Sequence, residues 1–267
     1  MAVRQQSLDR ELSDVRDPSN AANLINGRST LEFRQVSYRV GGNLILDNFN
    51  LTVESGRTLV LLGRSGSGKT TALKMLNGLL FPTSGQVLVD GRATTDWDLI
   101  QLRRSIGYVI QEVGLFPHFS IGENVGLVPR LQGWPPERVA ARVAELLDQV
   151  GLDPAQFLDR HPRQLSGGQR QRVGVARALA AEPKLLLFDE PFGALDPVTR
   201  LELQDQFVAL RDRLRKTSIF VTHDVREALR LCTEIALLHR GRIEVLTTPA
   251  EFVKSTGPEA RAFLSTL

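Results

Sequence analysis

Residues 58–80 read TLVLLGRSGSGKTTALKMLNGLL, and no other stretch limits the possible fold as much. An apolar run of strand length leads into a loop with glycines at 63, 66 and 68. From Lys69 the period changes, and Leu73, Leu76, Leu79 and Leu80 fall on one helical face. The loop matches G-x-x-x-x-G-K-[ST] in the strand–loop–helix setting that gives this pattern meaning. Gly63, Gly66 and Gly68 permit backbone turns closed to other residues. Successive N–H groups then point inward as an anion nest, and the helix N-terminus adds positive potential. Lys69 places a charge near the β- and γ-phosphates of a nucleotide, and Thr70 offers a hydroxyl to Mg²⁺. Gly63, Arg64, Ser65, Gly66, Ser67, Gly68, Lys69, Thr70 and Thr71 are therefore the expected ATP contacts.

The remaining chain alternates in the same manner. KLLLF and SIFVTH are short, with unbroken apolar runs LLLF and IFV, as strands buried on both faces have. Between them, PVTRLELQDQFVALRDRLRK spaces Leu203, Phe207, Leu210 and Leu214 for helical burial. PERVAARVAELLDQVG does the same with Val139, Val143, Leu146, Leu147 and Val150, with Pro136 at its start and Gly151 just past its end. Apolar strands alternating with helices predict a parallel α/β sheet. The segment before the glycine loop is β-rich, with LEFRQVSYRV, a Gly41-Gly42 turn and LILDNFNLTVES. EIALLHRGRIEVL predicts a terminal hairpin turning at Arg240-Gly241.

Phosphoryl chemistry needs a carboxylate for the metal, and LLLFDE supplies Asp189 at a strand end, where ligands sit in open α/β sheets. Glu190 follows and can orient or deprotonate a water. Alone, two acids after a strand would be a solvated turn; the glycine loop upstream gives them a role.

The pentad LSGGQ, at 165–169, lies close upstream of LLLFDE. With it the chain resembles the ATP-binding cassette (ABC) ATPases from Leu31 to about Val253. Tyr38 is similar in position to the aromatic that stacks on adenine, Gln111 to the glutamine that senses metal and water, Asp196 in GALD to the D-loop, and His223 in VTHD to the switch histidine. Each has a plain structural reading by itself; their joint order carries the resemblance. It implies a phosphate-loop (RecA-like) α/β core, an N-terminal antiparallel β subdomain and an inserted α-helical subdomain at about 112–172. The cassette would span 30–255, between tails at 1–29 and 256–267. It also implies that two copies pack head to tail. Ser166, Gly167, Gly168 and Gln169 of one copy would then cap the ATP held by the other, with Asp196 beside it. Thr70, Gln111 and Asp189 would hold Mg²⁺, and Glu190, His223 and Gln111 would serve hydrolysis.

Three kinds of protein carry such motifs. A phosphate-loop kinase has no need of LSGGQ. Soluble cassettes that act on DNA carry long coiled coils between their ATP motifs, and no heptad run lies between Gln111 and Ser166. Ribosomal types carry two cassettes. The resemblance thus favours the ATPase subunit of a transporter, with a soluble non-transport ABC ATPase as the lesser alternative. LDRHPRQLSGGQRQRVGVARAL, DEPFGALDPVTRLELQ and VIQEVGLFPHFSIGENVGLVPRLQGWP are similar to importers of glycine betaine, choline and related quaternary amines; importers of amino acids or organic anions are the alternative. The implied partners are transmembrane permease subunits, met through VGLFPHFSIGENV, and indirectly an extracytoplasmic solute-binding protein. Nucleic acid is not expected, because the net charge is only +3 and the arginines are scattered among acids.

No apolar run approaches the roughly 20 residues that span a bilayer. The first 20 residues lack the apolar core of a secretory signal. The single cysteine, Cys232, sits between apolar neighbours and is expected as a buried structural thiol. The expected location is the cytoplasmic side of the plasma membrane, reached through the permease. With Leu267 soon after TTPAEFV, a C-terminal regulatory domain that senses ionic strength is not expected in this chain.

Overall fold

In a computed structural model, which describes residues 29–267, strand β3 (Thr58–Leu62) explains its own apolar sequence. Val60 and Leu62 face one hydrophobic cluster, Leu59 and Leu61 another, and all four are buried. The same two-sided alternation holds on the neighbouring strands β7 (Leu185–Asp189), β8 (Thr217–Thr222) and β9 (Glu234–His239). Strands with no solvent face carry apolar residues on both faces, which is why their central runs lack a polar period, while buried Thr58, Thr217, Ser218 and Thr222 stand at the strand ends.

These strands belong to a six-stranded sheet of order β10-β9-β3-β8-β7-β6, with β6 at Ile106–Val109 and β10 at Arg242–Thr247. All neighbours are parallel except β10, which folds back antiparallel on β9. The turn between them falls at Arg240 and Gly241, both with positive φ, as a two-residue hairpin requires.

A second sheet, of order β2-β1-β4-β5, is antiparallel throughout. It contains β1 (Ser29–Val40), β2 (Asn43–Glu54), β4 (Ser84–Val89) and β5 (Arg92–Ala93), with Gly41-Gly42 as the first turn. Helix α1 (Lys69–Leu76) buries Ala72, Leu73, Met75 and Leu76 in the cluster shared with this sheet. The sequence period suggested that α1 continues to Leu80. It stops at Leu76 because Gly78 takes φ +64°, a left-handed turn in which a Cβ would meet a Leu99 methyl at 2.7 Å. Leu79 is consequently half exposed.

Helix α2 (Leu99–Ser105) buries Leu102 in the same cluster as α1 and leads into β6, and a helical stretch on the other face of the sheet follows. It holds α3 (Ile121–Leu131), α4 (Pro136–Gln149), α5 (Pro154–Phe157) and α6 (Gly167–Leu179). Ser120 and Glu123 form a reciprocal cap on α3, and Pro136 opens α4. The α4 residues Val139, Val143, Leu146 and Leu147 are buried, as their spacing predicts. Helix α7 (Pro197–Leu214) covers β7 and β8 through Leu203, Phe207 and Leu210, with the Phe188 ring stacked on Phe220 at 4.1 Å. Helix α8 (Val225–Leu231) follows β8.

The end of the chain is more ordered than expected. Helices α9 (Pro249–Phe252) and α10 (Pro258–Leu264) bury Phe252 and Ala260 in the core, so 256–267 packs on the cassette instead of trailing from it. The expected tail at 1–29 lies outside the described residues except for Ser29, which opens β1. Among the described residues no helix is long and apolar enough to cross a membrane.

Candidate functional site

The glycine loop joins the end of β3 to α1, and its glycines are dictated by what lies behind them. A Cβ on Gly63 would sit 2.5 Å from the Leu238 carbonyl of β9. Gly68 has φ +106°, and a Cβ there would meet a Leu46 methyl at 2.7 Å. Gly66, at φ +78°, faces open space, so its freedom serves the turn alone. Tyr38, expected near adenine, is half buried on β1 and pairs with Leu46, one strand from the loop. Arg64, Ser65 and Gly66 are exposed at the tip, and the Arg64 Nε donates to Glu259 on α10 at 2.6 Å. Thr71 is half buried on the first turn of α1.

Lys69 is only 4% exposed. Its ammonium donates to the carbonyls of Gly63 at 2.7 Å and Arg64 at 2.9 Å, so it curls back across its own loop. Burial lowers its pKa, while the carboxylates of Glu190 and Asp189 pull it back up. A buried cation held by neutral carbonyls and nearby carboxylates is suited to an incoming anion. The Ser67 hydroxyl is buried in the same loop with no hydrogen-bond partner. An orphaned buried donor usually marks a ligand group or water that completes it.

Both acids come from the end of β7, which β8 separates from β3. The Thr70 hydroxyl donates to Asp189 Oδ1 at 2.9 Å, and the Tyr108 hydroxyl approaches Oδ2 at 3.5 Å. Burial raises the Asp189 pKa, the Thr70 bond opposes this, and Glu190 raises it further. Burial likewise raises the Tyr108 phenol. Glu190 itself adopts φ +46°, an uncommon left-handed conformation that clusters at functional turns. Its N–H is fixed to the Val221 carbonyl at 3.0 Å, and its Oε2 lies 3.2 Å from His223 Nδ1. Gln111 borders this turn, since a Cβ on Gly193 would lie 3.7 Å from its amide nitrogen and 3.9 Å from Glu190 Oε2.

The remaining predicted residues form a separate group. Ser166 caps α6: its Oγ accepts from Gln169 N at 3.2 Å, while Gln169 Oε1 accepts from Ser166 N at 3.0 Å. The Ser166 O–H hydrogen stays available, but the Gln169 carbonyl oxygen is committed to the cap. Gly167 has Leu195 as its nearest neighbour. Gly168 is buried, and a Cβ there would meet the Thr199 methyl at 2.5 Å, so its lack of a side chain is demanded within the chain by α7. Asp196 caps α7 by accepting from Thr199 N at 3.0 Å, and these capping bonds lower its pKa. LSGGQ therefore packs against the Asp196 turn. Among the described residues no hydrogen bond joins LSGGQ to residues 63–71 of the same chain.

Arg177 links the two groups. Arg177 of α6 donates to the carbonyls of Val113 at 2.6 Å and Gly114 at 2.8 Å, and Gly174 leaves room for the Val113 side chain. The segment after Gln111 is thus fastened to the helix that LSGGQ begins. Sequence reasoning did not find Tyr108, Arg177 or Glu259. Tyr108 reads as an ordinary strand aromatic, and the other two meet their partners only through the fold.

The residues present suit a nucleotide with a divalent cation. Loop amides, the orphaned Ser67 hydroxyl and Lys69 suit phosphates. Thr70 and Asp189 offer one hydroxyl and one carboxylate oxygen to a cation. No group of three or more His, Cys, Asp or Glu side chains suited to a metal occurs among the described residues. The one carboxylate and one hydroxyl fit the donor set of Mg²⁺, which is bound by one or two carboxylates together with phosphates and water.

A parallel sheet with a glycine loop after one strand and acids at the end of another, between an antiparallel sheet and a helical stretch, defines a phosphate-loop nucleotide-binding cassette. Residues 46–193 match the model of the ABC transporter family, and the chain belongs to that family. It is 50% identical over 214 residues to the osmoprotectant import ATP-binding protein OsmV of Salmonella typhimurium, covering 80% of this chain and 56% of that protein. To the choline transport ATP-binding protein OpuBA of Bacillus subtilis it is 47% identical over 230 residues, covering 86% and 60%. The chain thus spans less than two thirds of these relatives. Among solved structures, the dimeric bacterial ABC transporter cassette MJ0796 superposes with a TM-score of 0.73 at 35% identity, over 82% of this chain and 98% of that one.

Proposed function

We propose that the chain is the ATP-hydrolysing subunit of an ABC importer and powers uptake of a quaternary amine osmoprotectant such as glycine betaine or choline. The observation that carries the enzymatic part is the convergence of Lys69, Thr70, Asp189, Glu190 and His223 at the C-terminal ends of the interior strands β3, β7 and β8. The solute class rests on OsmV and OpuBA, whose names specify osmoprotectant import and choline transport.

In this reading the loop amides and Lys69 hold the β- and γ-phosphates, and Tyr38 lies against adenine. Thr70 and Asp189 would hold a divalent cation, which would supply charge against the phosphate oxygens. Glu190 takes the proton of the attacking water on Oε1, the oxygen not engaged with His223. His223 holds Oε2 and so fixes the carboxylate plane. Such base or positioning groups are worth about 10²–10⁴-fold in rate.

A second copy supplies Ser166 and its neighbours over the nucleotide, as LSGGQ lies apart from the loop of its own chain. Two shared nucleotides then bias the pair toward a closed arrangement, and hydrolysis returns it. Permease subunits would dock at the helical stretch, where Tyr108, Phe116, Leu127, Val128 and Ala178 line an open depression of about 230 Å³. Phe116 is exposed there, and Asn124 braces the preceding loop through the Phe116 N–H and carbonyl. The chain would sit on the cytoplasmic side of the membrane, served from outside by a solute-binding protein.

Two assays test this. Purified chain should hydrolyse ATP with Mg²⁺, and Lys69→Ala should lose nucleotide binding. Cells carrying the chain with its permease should accumulate labelled betaine or choline, and the Lys69→Ala version should not. Uptake of only a non-quaternary solute would refute the solute class and leave the ATPase reading intact.

A further inference from the structure

Beneath the turn that carries His223 lies a carboxylate that the reading above does not use. Glu227, on α8, is 5% exposed. Its Oε2 accepts from the Thr222 hydroxyl at 2.6 Å, and Thr222 Oγ1 in turn accepts from Asp224 N at 3.1 Å. The residues on either side of His223 are thus tied through one hydroxyl to one carboxylate. Asp224 completes the turn by capping α8, accepting from Arg226 N at 2.8 Å.

The other oxygen of Glu227 faces α7. Gln204 Nε2 donates to Oε1 at 3.3 Å, and Arg200 Nε lies 4.0 Å from it, buried and without a hydrogen bond. Arg200 also reaches Asp224 Oδ2 at 3.9 Å and donates through Nη2 to the Leu195 carbonyl at 3.2 Å. Leu195 directly precedes Asp196. One guanidinium therefore touches both the Asp196 turn and the His223 turn, and Glu227 is the buried group between them. Buried polar groups linked this way behave as a unit, because losing one member leaves the others unpaired in a low dielectric.

We infer that Glu227 is a positioning residue for ATP hydrolysis: with Arg200 it sets His223, and hence Glu190, according to the position of the Asp196 turn. The inference rests on the proposed ATPase activity. Its geometry gives the second copy, packed near Asp196 and LSGGQ, a route to the water-activating carboxylate without touching it.

The test uses the full chain with Glu227→Gln and Thr222→Val, which keep side-chain volume close to the original, and Arg200→Gln, which removes the guanidinium. Steady-state hydrolysis by wild type, run in parallel, first decides the ATPase reading on its own. Each variant should lower kcat about tenfold or more with KM for ATP within about twofold, as small misplacement of a reacting group does. Glu227→Gln and Arg200→Gln together should be no worse than the more severe single change, as members of one unit are. A wild-type kcat in Glu227→Gln, or an equal loss in kcat and ATP affinity, would overturn the inference while leaving the ATPase reading in place. Hydrogen exchange needs no turnover. The Asp224 amide should exchange about tenfold faster in Arg200→Gln, although Arg200 lies on a different helix. Unchanged protection there would overturn the inference even if the chain hydrolysed nothing, and would do so if Glu227→Gln failed to fold.

Discussion

Asp189 is held by Thr70 through one hydrogen bond of 2.9 Å, in a position where burial and Glu190 both disfavour its charge. Function at this carboxylate is thus set against stability. Asp189→Asn should abolish Mg²⁺-dependent hydrolysis yet stabilise the nucleotide-free chain by about 0.5–2 kcal/mol, the usual scale when a strained functional group is relieved. In a chain of this size about 1 kcal/mol moves Tm by roughly 2–4 °C.

The pH dependence of that gain has a definite sign. The folded-state pKa of Asp189 is raised, so its contribution to stability is fully present below the unfolded carboxylate value and is lost as pH rises through the folded value. The advantage of Asp189→Asn should therefore shrink as pH falls from 7 toward about 4. Denaturant unfolding at several pH values measures it; an advantage that grows on acidification would reverse the assignment.

Gly168 offers a test of packing against ligand contact. Adding a methyl group there places it 2.5 Å from the Thr199 side-chain methyl. Gly168→Ala should cost about 1–3 kcal/mol, as overpacking does. Thr199→Ser removes the obstructing methyl and should restore most of that stability in the double variant. Failure of this rescue in thermal unfolding would mean that something other than Thr199 excludes the side chain.

Cys232, the single cysteine, is buried, and burial pushes its thiol up to about 12. Only the thiolate attacks disulfide reagents. At pH 8 the native chain should react at least about a thousandfold slower than free cysteine, and at the ordinary rate once unfolded. Fast labelling of the native chain would contradict the buried placement.

The sheet and helices were legible wherever one residue type had one reason to be present. The apolar runs of β3, β7 and β8 predicted strands buried on both faces, and the leucine and valine spacing of α4 predicted its buried stripe. The period misled at α1, because Leu79 and Leu80 continue the spacing while Gly78 ends the helix. A local turn outweighs an apolar pattern there. The packing of residues 256–267 was not legible, for lack of a long pattern. Helix α10 is only about two turns long, held by the burial of Ala260 and by the Glu259 contact with Arg64. At the site, the glycine loop and the two acids carried their chemistry in their spacing. Tyr108, Glu227 and Arg177 did not, because each acts through a partner distant in sequence. Gly168 was expected to admit a phosphate, and its internal reason, the Thr199 methyl, exists only once α7 is in place.

The central claim is that two copies enclose ATP and that Glu190 releases them by hydrolysis. Light scattering of the Glu190→Gln chain on a sizing column, with saturating ATP and Mg²⁺, tests it most directly. A stable species of twice the 29.6 kDa chain mass is predicted, with nucleotide retained and turnover reduced about 10²–10⁴-fold. Adding Ser166→Arg should return it to monomer. A Glu190→Gln chain that stays monomeric at saturating ATP and hydrolyses it at the wild-type rate would contradict the account.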